Sequence, residues 1–305
     1  ALVDALRLAR GMTYKAALAG LAHGGGKSVL IRPAQHFDRV ALFRAFGRFV
    51  DDLGGHYITA EDSGTGLEDM EVIRQVTKHV TGVDVSHGGS GDPSPFTALG
   101  VRRGIEACVK YKTKRESLEG VHVAVQGVGH VGYHLCRELH DAGAKLSVAD
   151  VDPLKAERAQ REFKAAIVPL DKIFECECDV IAPCALGSAL NDTTIPRLKA
   201  KIVAGAANNQ LAQPRHGDDL HARGILYAPD YAINAGGLVN VAQEVLGYDA
   251  KKSREKTLQI YDTIWEIADR STKKAAPTYR IADMMVEEKL AAVSKSRIPV
   301  AAQTR

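Results

Sequence analysis

Apolar side chains recur at helical spacing near the start of the chain, and from about residue 120 they gather instead into short β-branched runs between helical stretches. Phe43, Phe46, Val50 and Leu53 share one face of a helix predicted over 38–53. Asp38 supplies its N-cap, and Gly54 with Gly55 closes it. Residues 56–59 predict a short strand that delivers Ala60, Glu61 and Asp62 to a glycine-rich turn over 63–66, and a further helix is expected over 67–80. Residues 1–10 read as helix interior, with Leu2, Leu6 and Leu8 among charges. No N-cap precedes them, which implies a segment ahead of Ala1.

The stretch 87–95 carries three glycines and two prolines, and no helix continues through it. Beyond it, strands are expected over 121–126, 145–150, 166–168, 179–182, 201–205 and 225–228, separated by helices. That alternation describes a parallel sheet covered on both faces. Residues 235–270 read as helical with one break near 247–251, and a last helix over 281–294 follows Pro277 and packs back on the first domain. The expected architecture is α/β in two domains: a Rossmann-type doubly wound parallel sheet, and an α/β substrate and oligomerisation domain, with a cleft between them. The expected boundaries are 1–85 for the lysine-bearing domain, 86–275 for the nucleotide domain and 276–305 for the returning helix.

Composition narrows the function classes. A net charge of +3 over 305 residues, with no basic block interleaved with aromatics, argues against nucleic acid. No apolar run approaches the ~18–20 residues that span a bilayer, so no membrane role is expected. Five cysteines, an odd number, argue for reduced thiols in the cytoplasm. Cys176 and Cys178 form a lone Cys-x-Cys without a second pair, and no metal site is expected there.

Two segments carry candidate chemistry. Val-His-Val-Ala-Val-Gln-Gly127-Val128-Gly129-His130-Val131-Gly132 is a strand running into Gly-x-Gly-x-x-Gly and then a helix. Such a turn brings backbone amides against a pyrophosphate at the helix N-terminus. Asp150 ends the next predicted strand; an acid there suits a ribose 2′-hydroxyl and repels a 2′-phosphate, favouring NAD over NADP. The second segment holds Lys15 and Lys27, the latter behind Gly24-Gly25-Gly26. The three glycines are expected to let the backbone take positive φ and approach a substrate. A P-loop reading of Gly-Gly-Gly-Lys27-Ser28 fails, because Leu21 stands where that pattern needs glycine. Asp62 joins the lysines as a candidate proton shuttle; alone, it reads as a salt-bridge partner.

Taken motif by motif, the chain resembles the amino-acid dehydrogenase superfamily of glutamate, leucine, phenylalanine and valine dehydrogenases, the leucine enzymes most of all. The matching residues are Arg-Gly-Met-Thr-Tyr-Lys15, Gly-Gly-Gly-Lys27, Tyr-Ile-Thr-Ala-Glu-Asp62, Ala-Val-Gln-Gly-Val-Gly129, Ala-Pro-Cys-Ala-Leu-Gly187, Asn208-Asn-Gln-Leu211 and Ala-Pro-Asp-Tyr-Ala-Ile-Asn-Ala-Gly-Gly237, in family order. The resemblance implies that Lys15 binds the substrate α-carboxylate, that Lys27 is the general base for the attacking water, and that Asp62 relays protons at the amino nitrogen. It implies that Asn209 and Asn234 hold nicotinamide and substrate, and that Gly127 to Gly132 with Asp150 hold NAD. Two cations in one closing cleft are expected to lower the pKa of Lys27.

By the same correspondence Ala60, Leu238 and Val241 wall the side-chain pocket. All are apolar, so a charged substrate side chain would lose its water at a cost of several kcal/mol. The implied activity is reversible oxidative deamination of leucine, valine or isoleucine to the 2-oxo acid and ammonia, favoured at alkaline pH, by a homo-oligomer. Phenylalanine or another aromatic substrate, and a catalytically idle nucleotide-binding homologue, are the alternatives. Three departures from the family pattern stand out: the strand-rich segment ahead of Ala1, Asn208 where relatives often carry aspartate, and the extra glycine of the 63–66 turn, expected to loosen the loop holding Asp62.

Overall fold

The computed structural model describes residues 1–62, 64–185 and 187–296. Ser63 and Leu186, named in the motifs above, and residues 297–305 of the expected C-terminal unit lie outside the described residues. The chain opens on three helices, α1 (Leu2–Leu18), α2 (Arg39–Asp52) and α3 (Leu67–Arg74). The long α4 (Ser94–Thr113) leads into β1 (His122–Gln126), α5 (His130–Asp141), β2 (Lys145–Ala149), α6 (Pro153–Phe163) and β3 (Ala166–Ile167). Then come β4 (Val180–Pro183), β5 (Ile202–Val203), α7 (Arg215–Ala222), β6 (Leu226–Tyr227), α8 (Asp230–Ile233) and α9 (Gly236–Ala242). Helices α10 (Ala250–Leu258), α11 (Ile260–Lys274) and α12 (Thr278–Ser296) complete the described chain. Among the described residues no helix is long and apolar enough to cross a membrane.

All six strands form one parallel sheet in the order β3-β2-β1-β4-β5-β6. The order reverses between β1 and β4, the crevice where doubly wound sheets bind nucleotides. Strand β1 shows why the β-branched runs were readable. Its Val123 and Val125 enter the core against α4, α5 and α11, while Ala124 enters a second core with Ile173, Leu190 and Leu220 on the opposite face. A strand buried on both sides has no polar face, so it reads as a continuous apolar run.

The first lobe is smaller. Phe43, Met70, Ile73, Val80 and Val83 form its core. Asp38 caps α2 by accepting the Ala41 amide at 3.0 Å, and Gly54 and Gly55 take positive φ at its end, as the sequence implies. Three expectations are corrected here. Residues 56–59 form no strand: only Thr59 pairs, in an isolated parallel bridge to Val80. The 67–80 helix stops at Arg74 for the same reason, since Thr59 takes the His79 carbonyl and gives its own to the Thr81 amide, which requires 79–81 to be extended. The 235–270 segment also breaks a second time, at Gln259 between α10 and α11.

Helix α12 returns to α1 through Ile281, Met285 and Val286, all buried. Lys289 donates to the carbonyls of Ala17 and Leu18 at the end of α1. Tyr14, next to Lys15, donates its hydroxyl to Glu287 and accepts from Arg10 at 2.7 Å. The sheet and its helices rest on residues such as Leu139 of α5, fully buried in the larger core. Leu139→Ala is expected to lower the unfolding free energy in urea by about 2–5 kcal/mol; a loss below about 1 kcal/mol would contradict close packing of α5 on β1.

Candidate active site

The loop after β1 is built for close approach. Gly127 takes φ 93°, where side-chain-bearing residues are strained. A Cβ on Gly132 would sit 2.0 Å from the Gly127 carbonyl, so turn and helix touch. Gly129, the N-cap of α5, differs: a Cβ there meets no atom within 4 Å, and no side chain caps the helix. His130, exposed, and Val131 open that helix, so the space above Gly129 lies at free amides that favour an anion. Asp150 lies directly after β2 and is fastened to the same loop: its carboxylate accepts the Val128 amide at 2.6 Å and the Asp152 amide at 2.9 Å. The residues therefore fit a dinucleotide, with room for phosphate over Gly129 and an acid within reach of a ribose.

Lys15 projects from the last turns of α1 toward the segment after β5. Its ammonium donates to the Asn208 side-chain oxygen at 3.3 Å, and that oxygen also accepts from the Asn234 amide at 2.7 Å. Asn234 gives its other amide hydrogen to the Ala206 carbonyl at 2.9 Å. Both hydrogens are thus spent on acceptors, which fixes the orientation of the amide and leaves its buried oxygen unpaired. A buried acceptor without a donor costs free energy until a ligand supplies one. Desolvation lowers the Lys15 pKa to about 8; Asp230 opposes the shift and Lys27 adds to it.

Lys27 pairs with Asp62. Burial lowers the Lys27 pKa, as expected, and the like-charge effect anticipated for Lys27 is felt instead at Lys15. Asp62 stands at a tight turn: Thr65 donates its hydroxyl and its amide to the Asp62 carbonyl, and accepts the Asp62 amide at 2.9 Å. Arg39 binds the Gly64 carbonyl, and Asp69 accepts the Gly66 amide. Three side chains therefore pin a turn whose glycines were expected to loosen it. The role expected of Gly24, Gly25 and Gly26 is also corrected, because none of the three takes positive φ. What Gly25 and Gly26 permit is contact: a Cβ on Gly25 would lie 2.1 Å from the Ala9 carbonyl of α1, and one on Gly26 would strike the Tyr57 ring.

The structure thus gathers Lys15, Asn208 and Asn234 in one network, Lys27 and Asp62 in a second, and Gly127 to Gly132 with Asp150 in a third. Asn209 contributes its backbone, taking φ 51° and accepting the Ser188 amide at 2.7 Å. Leu238 and Val241 lie on α9, half-buried and buried, and Ala60 is half-buried beside Thr59 in the first lobe. Sequence reasoning passed over Asp230, which accepts the Gln210 and Tyr231 amides at 2.8 and 2.7 Å and acts electrostatically on Lys15. Its only signal was its place in the Ala-Pro-Asp-Tyr motif. Asp192, His216 and Asp219 cluster elsewhere with metal-like spacing. The His216 Nδ1 accepts the Gln213 amide, so Nε2 carries the proton toward Asp192, and Arg215 already bridges both acids. That is an ion cluster, not a ligand set.

A glycine turn at the reversal point of a parallel sheet, joined to a lobe that presents a lysine to the segment after β5, defines a dinucleotide-binding α/β fold with an attached lysine-bearing lobe. The chain belongs to the Glu/Leu/Phe/Val dehydrogenase family: residues 1–79 match its dimerisation domain, and residues 88–154 and 147–297 match the Glutamate/Leucine/Phenylalanine/Valine dehydrogenase domain. It is 54% identical to leucine dehydrogenase of Geobacillus stearothermophilus, over 98% of this chain and 82% of that one. Leucine dehydrogenase of Thermoactinomyces intermedius is 53% identical over 97% of this chain and 81% of its own. The crystal structure of L-tryptophan dehydrogenase from Nostoc punctiforme superposes with TM-score 0.84 at 45% identity, covering 97% of this chain and 84% of that one.

Gly129 and Gly132 separate folding from binding. Gly129→Val is expected to keep the melting temperature within about 2 °C and to weaken dinucleotide binding at least tenfold by calorimetry, because its side chain enters open space. Gly132→Val, forced onto the Gly127 carbonyl, is expected to lose the fold itself. Equal melting temperatures for the two variants would refute the distinction.

Proposed function

We propose that this protein is an NAD-dependent dehydrogenase that converts leucine, valine or isoleucine reversibly to the 2-oxo acid and ammonia. The observation that carries the reading is the juxtaposition of a desolvated lysine, Lys15, with the Asn208–Asn234 pair, in a chain 54% identical to a leucine dehydrogenase. The division into a lysine-bearing lobe over 1–85, a nucleotide unit over 86–275 and a returning helix over 276–305 belongs to the same reading. So does a homo-oligomeric state, supported by the match of residues 1–79 to a dimerisation domain and by exposed Leu2, Val3, Leu6 and Ile31. Free thiols at all five cysteines support a cytoplasmic setting.

Gly127 to Gly132 would hold the pyrophosphate and Asp150 the adenosine ribose, its charge disfavouring a 2′-phosphate. The unpaired oxygen of Asn234 suits the carboxamide N–H of nicotinamide or the substrate amino group. The bound dinucleotide supplies the acceptor for the hydride leaving Cα. Lys15, in its charged form, anchors the α-carboxylate and so fixes which face of Cα is presented. Lys27, neutral, takes a proton from the water that adds to the imino carbon. Asp62, in contact with Lys27 and half open to solvent, receives that proton and protonates the departing nitrogen. Apolar Ala60, Leu238 and Val241 favour an aliphatic side chain. The likeness to a tryptophan dehydrogenase favours testing an indole beside them.

Reduced-cofactor absorbance with NAD and a panel of L-amino acids tests the reading. Leucine, valine and isoleucine are expected to turn over fastest, with glutamate at least a hundredfold slower. Saturable NAD binding without turnover of any member of the panel would sink it, and a preference for tryptophan would move the substrate assignment. Lys27→Ala is expected to cut kcat by about a hundred- to ten-thousand-fold, the range of general-base catalysis, and to leave the Kd for NAD within twofold.

The two lysines make opposite demands on pH. Lys15 must keep its proton, so substrate binding is complete below about 8 and lost as pH rises through that value. Lys27 must be without its proton, so its function is lost as pH falls through its burial-lowered pKa. A bell-shaped kcat/KM is expected, with the alkaline limb in KM rather than kcat. A KM independent of pH from 7 to 10 would contradict the Lys15 assignment.

A further inference from the structure

We propose that Asp230 is a positioning residue for this reaction: its carboxylate holds the turn at Asn209 and Gln210, beside the Asn208 that receives the Lys15 ammonium, and supplies the countercharge for that ammonium. The proposal rests on the reading of Lys15 as the carboxylate anchor. Asp230 begins α8, directly beyond β6 and Pro229. Its oxygens are committed to the main chain, accepting Gln210 at 2.8 Å and Tyr231 at 2.7 Å, while its own amide donates to the Tyr227 hydroxyl at 3.3 Å. Burial raises its pKa, and the amides of Gln210, Tyr231 and Asn209 and the charge of Lys15 oppose that rise. Three backbone amides are what allow a desolvated carboxylate to stay ionised.

From the side of Lys15, the geometry shows why that charge is needed. The Lys15 ammonium donates to the neutral side-chain amide of Asn208, which brings no negative charge. Desolvation and Lys27 both favour loss of the Lys15 proton, and Asp230 is the group that favours keeping it. The charged groups acting on Lys15 are Asp230 on α8 and Lys27 on the loop after α1; the titratable groups that feel Asp230 are Lys15 and the phenols of Tyr227 and Tyr231. An acid committed to the backbone of the same turn acts on the lysine through its field, not through a salt bridge that a substrate carboxylate would have to break. The same acid, by holding the Gln210 amide, fixes the turn whose Asn208 receives the ammonium.

The test uses the complex of the protein with NADH and 4-methyl-2-oxopentanoate, without ammonia, so that binding is read from nicotinamide fluorescence and no turnover intervenes. In the unaltered protein the oxo-acid affinity is expected to fall as pH rises through about 8. Asp230→Asn should move that midpoint downward and weaken the affinity at pH 8 by about fivefold, the loss that a one-unit shift produces. Asn208→Asp should move it upward, and the double variant should return it toward the original value. A merely structural role for Asp230 would weaken binding equally at every pH and would not be rescued by a charge at 208. If Asp230→Asn does not fold, Asp230→Ser, whose hydroxyl still accepts a main-chain amide, is read in the same way. Unmoved midpoints in the folded Asp230 variant, or no recovery in the double variant, overturn the proposal. Failure of the unaltered protein to bind any 2-oxo acid is a separate result, and it overturns the assignment of Lys15 instead.

Discussion

A lysine ammonium taken out of water escapes back into it unless its backbone is held, and the arrangement of this molecule follows from holding Lys15. The side chain is long enough to snorkel, and only a fixed helix prevents it. Helix α1 is fixed at the neighbouring residue. Tyr14 meets Tyr231 edge-on at 6.0 Å, lies under the Arg10 guanidinium and hydrogen-bonds Glu287 of α12. Tyr231 in turn donates to Asp283 of α12 at 2.5 Å. Residues of α1, α8 and α12 thus form one aromatic and charged knot, and Lys15 and Asp230 are the neighbours of its two tyrosines. The position of the ammonium against Asn208 is set by packing behind it.

The same knot explains why the last helix matters although it carries no candidate chemistry. Without α12, Tyr14 and Tyr231 would lose the acids that accept their hydroxyls, and α1 would lose a helix that packs along it. Gly25 and Gly26 are part of this economy: side chains there would push the loop off α1 and off Tyr57, and carry Lys27 away from Asp62. The glycines are needed for thinness, not for unusual torsions.

What could be read from the sequence follows from how local each constraint is. All six strands were legible because a doubly buried parallel strand writes itself as a short β-branched run, as 121–126 and 179–182 do. The turn from Gly127 to Gly132 was legible because its geometry needs glycine at 127 and 132, and the approach of a ligand needs it at 129. Residues 56–59 misled because Tyr57, Ile58 and Thr59 have strand-forming side chains, while strand formation needs neighbours, and only Val80 lies alongside Thr59. The end of α3 was hidden because pairing with Thr59, a non-local demand, overrides the helical period beyond Arg74. Asp230 was invisible as a charge source for the plainest reason: its partner on α1 is more than two hundred residues away in the chain, and it acts through field rather than contact.

The two lysines show how one cleft sustains opposite protonation states. Both are desolvated, and both are pulled toward the neutral amine. If burial were the only influence, the carboxylate anchor would fail under the conditions in which the base works. Their surroundings break that symmetry. Lys27 faces a carboxylate that is half exposed, so water screens the pair and a proton can pass outward. Lys15 faces a neutral amide, and its countercharge, Asp230, is held by backbone hydrogen bonds. A charge fixed in a poorly solvated site is screened less than one at the surface. The anchor therefore keeps its proton through a static field, while the base exchanges its own through a partner open to solvent. Moving Asp230 into contact with Lys15 would strengthen the ammonium, but it would also fill the site that the substrate carboxylate has to take.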